Sequence, residues 1–156
     1  MLFHPKYEDH LDRLQNQLRR APAVTADLVS DLVAETCVRL PLLNRAGKAA
    51  RVSQLIEATA WTDAALALLE TELPQWKLRR LVYDDGQWFC SLSKQPNLPD
   101  GLDETADAGH EVLALAILSA FLEARRRTSA APETNSPAVP QVRPLSGHAV
   151  CCDNFA

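Results

Sequence analysis

Two strand-like runs meet at Asp84-Asp85-Gly86, and that junction constrains the chain more than any other feature. Residues 76–83 (WKLRRLVY) and 87–93 (QWFCSLS) flank it, and both are rich in aromatic and aliphatic side chains. An Asp-Gly pair between such runs is a strong hairpin signal, because glycine accepts the positive φ that the reversal needs. The loop length then decides which side chains share a face. A two-residue loop, Asp85-Gly86, groups Trp76, Leu78, Arg80 and Val82 with Phe89, Ser91 and Ser93. A three-residue loop, Asp84-Asp85-Gly86, groups the same first-strand residues with Trp88, Cys90 and Leu92. The second grouping gathers six apolar residues around one arginine, and the pattern favours it. Lys77, Arg79, Leu81, Tyr83 and Phe89 are then expected on the opposite, outer face.

A lone two-stranded hairpin is marginal in water, so helices must cover it. Tyr7, Leu11, Leu14 and Leu18 form a helical stripe over residues 7–20, closed by Ala21-Pro22 because the residue before proline disfavours the α region. Thr25 is placed to cap a second helix through its hydroxyl. That helix presents Leu28, Val29, Leu32, Val33, Cys37 and Leu40 as its apolar face and stops at Pro41. A third helix is expected from Gly47 to Leu73, with a kink or break near Ala60-Trp61-Thr62, where the phase drifts and Thr62 could cap a new segment. Residues 95–107 read as a polar connection, whose acidic end leads into a last helix. Leu113, Ala116, Ile117, Ala120, Phe121 and Ala124 form its stripe, and Leu115, Leu118 and Leu122 widen it enough to imply burial on more than one side. Residues 128–156 hold four prolines and no apolar period, and read as a disordered tail.

The expected fold class is therefore α+β and mostly helical. One antiparallel β-hairpin, at about 76–83 and 87–93, packs against helices, and the C-terminal tail is disordered. Residues 1–45 form an N-terminal helical arm, 46–127 a helix–hairpin–helix core and 128–156 the tail. The arm is expected either to complete the core or to make a dimer.

The stretch ELPQWKLRRLVYDDGQWFCSLSKQ followed by HEVLALAILSAFLEAR resembles the small bacterial and phage-encoded domains known as phage ABA-sandwich domains. The resemblance covers residues 62–127. It rests on LP-x-W entering the first strand, the Asp-Gly hairpin, a tryptophan opening the second strand and an Ala/Leu-rich closing helix. It implies a fold and a kinship with uncharacterised accessory proteins, and it brings no residue-level chemistry.

Charge narrows the function classes. Sixteen basic and twenty acidic residues give a net −4, whereas a nonspecific nucleic-acid binder needs a basic field to release counterions from phosphates. Arg19-Arg20, Arg79-Arg80 and Arg125-Arg126-Arg127 are short runs that read as solvated positions. The dense apolar stretch 112–122 is shorter than the roughly 20 residues of a bilayer span, so no membrane association is expected. The start, MLFHPKYEDH, lacks the basic and apolar regions of a secretory signal. Cys37, Cys90, Cys151 and Cys152 contain no C-x-x-C, a reduced pattern that suggests a cytoplasmic setting.

Two constellations could carry chemistry. Asp103, Asp107, His110 and Glu111 would share one face of a helix at spacing i, i+4, i+7, i+8, and such ligands could hold a divalent metal. The competing reading is acidic residues stabilising a helix start. His110-Glu111 also begins H-E-x-x-H, but Ala114 occupies the second ligand position. Lys77, Arg79, Arg80, Tyr83 and Phe89 mix aromatic and basic side chains and could contact a nucleic acid or a partner. Cys90 could pair with His110 as nucleophile and base, although a buried cysteine more often packs. Cys151, Cys152 and His148 sit in the tail and cannot close a tetrahedral site unaided. Phosphate-cradling glycine loops and the G-x-S-x-G elbow are missing from the sequence.

No catalytic residue is assigned, and no cofactor is expected. The reading is a small accessory protein that works through protein–protein contacts, as a homo-oligomer or with a protein partner, with nucleic acid disfavoured. Two alternatives stand beside it. One is a metal-binding module or metal-dependent enzyme at the start of the last helix. The other is a nucleic-acid accessory factor using the basic first strand.

Overall fold

Asp85 and Gly86 both adopt positive φ, 46° and 81°, which is the two-residue reversal whose twist suits a hairpin. The computed structural model, which describes residues 5–42, 47–99 and 101–130, places strand β1 at Lys77–Asp84 and strand β2 at Gln87–Ser93. Next to the turn the pairs are Asp84 with Gln87, Tyr83 with Trp88, Val82 with Phe89, Leu81 with Cys90 and Arg80 with Ser91. Beyond Arg79 the register slips by one, so that Leu78 meets Leu92 and Lys77 meets Ser93. Both registers read from the sequence are thus present. The two-residue loop governs the turn half, the three-residue pattern governs the far half, and a bulge at Arg79 reconciles them. The expected grouping is corrected accordingly. Trp88, Cys90 and Leu92 do share the covered face, but Leu81 and Tyr83 stand with them, and Arg80 and Val82 lie on the opposite face with Phe89.

A third strand, β3 at Thr105–His110, pairs antiparallel with β2, and the sheet order is β1-β2-β3. The polar connection and helix lead expected at 95–110 therefore end in an edge strand. Its covered face is Ala106 and Ala108, and these small side chains let helix α6 (Leu113–Ala130) lie close against β2 and β3. The nine residues Ala114 to Leu122 of that helix are all buried, as its wide apolar stripe implies. The helix runs on to Ala130, three residues into the segment read as tail, and residues 131–156 lie outside the described residues.

The far side of α6 is covered by helix α1 (Pro5–Arg20) and helix α5 (Trp61–Glu72). Leu11, Leu14 and Leu18 of α1 are buried, in the same hydrophobic cluster as Phe121 and Leu92. Helix α2 (Ala26–Thr36) adds Val29 and Leu32 to it, and the Thr25 hydroxyl caps α2 by accepting the Leu28 amide at 3.3 Å. After a short helix α3 (Arg39–Leu42), helix α4 (Lys48–Glu57) packs on α5. The break between α4 and α5 falls at Thr59, whose φ is 56°. The Thr59 amide bonds the Ile56 carbonyl and the Ala60 amide bonds the Leu55 carbonyl, the bond pair of a Schellman C-cap. Thr62, expected to cap the new segment, is instead inside α5, which begins after Ala60 without a side-chain cap.

Glu72 is a charged residue buried in the core, at 2% exposure. Its carboxylate accepts the Arg39 and Leu40 amides, at 3.2 and 2.6 Å, and lies 3.8 Å from the Arg125 guanidinium. It thereby satisfies the free donors that open α3.

Candidate functional site

One face of the sheet lies on α6. Among the described residues no helix packs on the other. Strand alternation puts Arg80 and Val82 of β1, Phe89 and Ser91 of β2, and Thr105, Asp107 and Gly109 of β3 on that open face. Together they line a groove of about 760 Å³. Pairing orders it in rows. Arg80, Ser91 and Asp107 lie side by side across the three strands, and the next row toward the turn is Val82, Phe89 and Gly109. Phe89 is 48% exposed at the centre of the sheet. Its ring lies across Gly109, where an added Cβ would stand only 3.1 Å from it. A glycine on an edge strand is in this way covered by its cross-strand aromatic neighbour.

The bulge explains why two consecutive arginines serve one end of this face. A bulge sets two residues opposite one, here Arg79 and Arg80 opposite Ser91. Arg79 is drawn inward. Its guanidinium donates to the Asp103 carboxylate at 2.5 Å and to the Leu98 carbonyl at 3.0 Å. The Ser93 hydroxyl donates to the same Asp103 oxygen, and the Gln95 amide donates to the other at 3.3 Å. The Asp103 side chain is only 1% exposed. The Ser93 hydrogen bond holds its carboxyl below the usual range; burial opposes this, and Arg79 and the Gln95 amide add to it. The cluster pins the 94–104 connection to the far end of the hairpin. Arg80 is exposed, with no hydrogen bond or ion pair among the described residues.

The expected metal quartet is not on a helix, and this is the main correction to the sequence reading. Asp103 is in the connection and is taken up by Arg79 and Ser93. Asp107 is on the open face, where it accepts the Thr105 hydroxyl at 2.8 Å. His110 ends β3 on the opposite face, opposite Trp88, and its Nδ1 accepts the Val112 amide at 2.9 Å. That bond helps open α6 and places the proton of the neutral ring on Nε2. Glu111 is exposed beyond the strand. Along a strand, neighbours point to opposite faces, so helical spacing does not bring these four together. Among the described residues no group of three or more His, Cys, Asp or Glu is placed to hold a metal ion.

The second candidate set divides in the same way. Arg80 and Phe89 share the open face, Arg79 is engaged by Asp103, and Lys77 is exposed at the start of β1. Tyr83 is on the other face, its ring tilted at 49° against Trp88 with centroids 5.0 Å apart. Cys90 stands opposite Ala108 and is buried. Burial, with the Asp107 charge adding to it, pushes its thiol up to about 12, and burial pushes Cys37 up to about 11. Both thiols pack in the hydrophobic cluster as small apolar groups. Cys151, Cys152 and His148 lie outside the described residues.

Sequence reasoning missed β3, and with it the Asp107 and Gly109 side of the groove. The available signal is the alternation Thr105, Asp107, Gly109 against Ala106, Ala108, His110. It is faint because alanine, aspartate and glycine are all depleted in strands. The chain matches no known protein-family model, no curated protein and no solved structure.

Proposed function

We propose that the protein is a non-catalytic accessory protein that works through protein–protein contacts made by the open face of its sheet. The observation that carries this reading is Phe89, half exposed at the centre of an uncovered three-stranded face with Val82 beside it. An aromatic anchor ringed by polar groups is the usual centre of a protein contact, and exposed apolar surface of this kind marks interaction sites. The kinship with ABA-sandwich domains belongs to the same proposal and supplies no chemistry of its own.

Nucleic acid is the less favoured occupant. Phe89 beside Arg80 could stack and hold a base, but Asp84 and Asp107 line the same groove and would repel a phosphate backbone. A metal-dependent activity has no converging ligand set among the described residues to support it.

The test is photo-crosslinking in cells that produce the chain. Benzoylphenylalanine replaces Phe89 in one sample and Glu70, exposed on α5, in the other. The expected result is a protein adduct of discrete mass from position 89 and none from position 70. Equal labelling at both positions, or none, removes the reading.

A further inference from the structure

In one row of the open face Arg80 of β1 and Asp107 of β3 stand on either side of Ser91, while Asp84 of β1 lies nearer the turn. We infer that a second copy of this chain occupies this face, through a two-fold axis running along β2, so that Arg80 of each copy meets Asp107 of the other. The inference rests on the proposed role of the face in protein contacts and names the partner.

Two sheets that pack face to face sit about 10 Å apart with their strands roughly aligned. A two-fold axis lying between them has two simple settings. Set across the strands through the Arg80 row, it stacks Arg80 on Arg80 and Asp107 on Asp107, which places like charges together. Set along β2, it stacks β1 on β3 and β3 on β1. The row Arg80, Ser91, Asp107 then lies on its own reverse, and two opposite-charge pairs form at once. The adjoining row follows the same rule. Each Phe89 ring leans over its own Gly109, and under this axis Gly109 of one copy faces Val82 of the other. The ring thus packs on a half-buried aliphatic side chain. Charge and shape select one setting of the axis, which is what an isologous interface requires. Among the described residues Arg80 has no ion pair of its own, because its neighbour Arg79 is the one bound to Asp103. Beside β3, Arg126 is already held by Asp12 and Glu123. Asp84 and Gln87 remain at the turn end, as a wet rim. Three short strands make a small interface, so the dimer is concentration-dependent.

The experiment uses the full chain and reads mass by sedimentation equilibrium. The unmodified chain is expected to move from monomer to dimer with rising concentration. Arg80→Asp and Asp107→Arg each create two like-charge pairs and are expected to weaken the dimer by about tenfold or more. Mixing the two variants restores both opposite-charge pairs, so an equimolar mixture is expected to dimerise where neither variant does alone. Both positions are exposed, and circular dichroism checks that each variant folds. If one does not, the purified chain carrying benzoylphenylalanine at 89 is illuminated instead, and an adduct of two chains is expected. The inference is overturned if the chain stays monomeric up to about 500 μM, if both variants dimerise as the parent does, or if the mixture fails to recover. A monomer that still crosslinks to a different protein in cells, or to a nucleic acid, overturns the second copy as occupant. Only the protein adduct leaves the proposed function standing.

Discussion

Asp103 shows how a single side chain can mislead and then explain. As a carboxylate four residues before Asp107, it suggests a ligand; in the fold it is the acceptor that joins Arg79, Ser93 and Gln95. Its pKa is lowered, first by the Ser93 hydroxyl, so the folded state binds its proton less tightly than the unfolded chain does. A depressed carboxyl stabilises fully above the ordinary aspartate value of about 3.9 and loses that contribution as pH falls through the folded value. Asp103→Asn is therefore expected to lower the urea midpoint at pH 7, and the gap from the parent should close as pH drops below about 4. Urea titrations of both proteins at pH 7, 5 and 3 measure this. A gap of the same size at all three values would show that the residue acts through shape and not through charge.

At the scale of elements, what could be read in the sequence is what local chemistry decides. The Asp-Gly turn, the Thr25 cap and the leucine stripe of α1 are each stated within a few residues, and each is present. The bulge and β3 are decided elsewhere. Arg79 is squeezed out of register because the turn demands one pairing and Leu78 against Leu92 demands another. Residues 105–110 form a strand because β2 offers a free edge and α6 needs small residues beneath it. The candidate site inherits this division: Phe89 is legible as an outer-face residue, but Arg80 joins it only through the bulge, and Asp107 enters the same row only through β3. The α4–α5 break makes a prediction at this scale. Thr59 holds φ at 56°, a left-handed position that disfavours a β-branched side chain and suits glycine. Thr59→Gly is expected to stabilise the protein by about 0.5–1 kcal/mol, the relief of strain outweighing the added chain entropy. Chemical denaturation against the parent checks the sign. A loss of stability would mean that the threonine side chain contributes more there than its backbone strain costs.

For the whole molecule, the controlling fact is that α6 has no solvent side over its first half. The sheet covers one flank, and α1 and α5 cover the other. Leu11, Leu14 and Leu18, with Val29 and Leu32 of α2, belong to the same buried cluster as the sheet residues Cys90, Leu92 and Ala106. Each such side chain contributes about 2 kcal/mol when removed from water, about 10 kcal/mol for the five. That equals the whole stability of an ordinary domain, roughly 5–15 kcal/mol. The helix–hairpin–helix unit that the sequence marks at 46–127 should therefore not stand alone. A fragment of residues 46–130 is expected to lack a cooperative thermal transition and to bind a hydrophobic dye, as chains without fixed packing do. A separate peptide of residues 1–45 should restore the transition when added, because it returns the side chains that close α6. Circular dichroism melts of the fragment, with and without the peptide, decide the matter. A cooperative melt of the fragment alone, near the temperature of the full chain, would mean that α5 and the sheet suffice. The N-terminal helices would then be free to act as a separate contact surface.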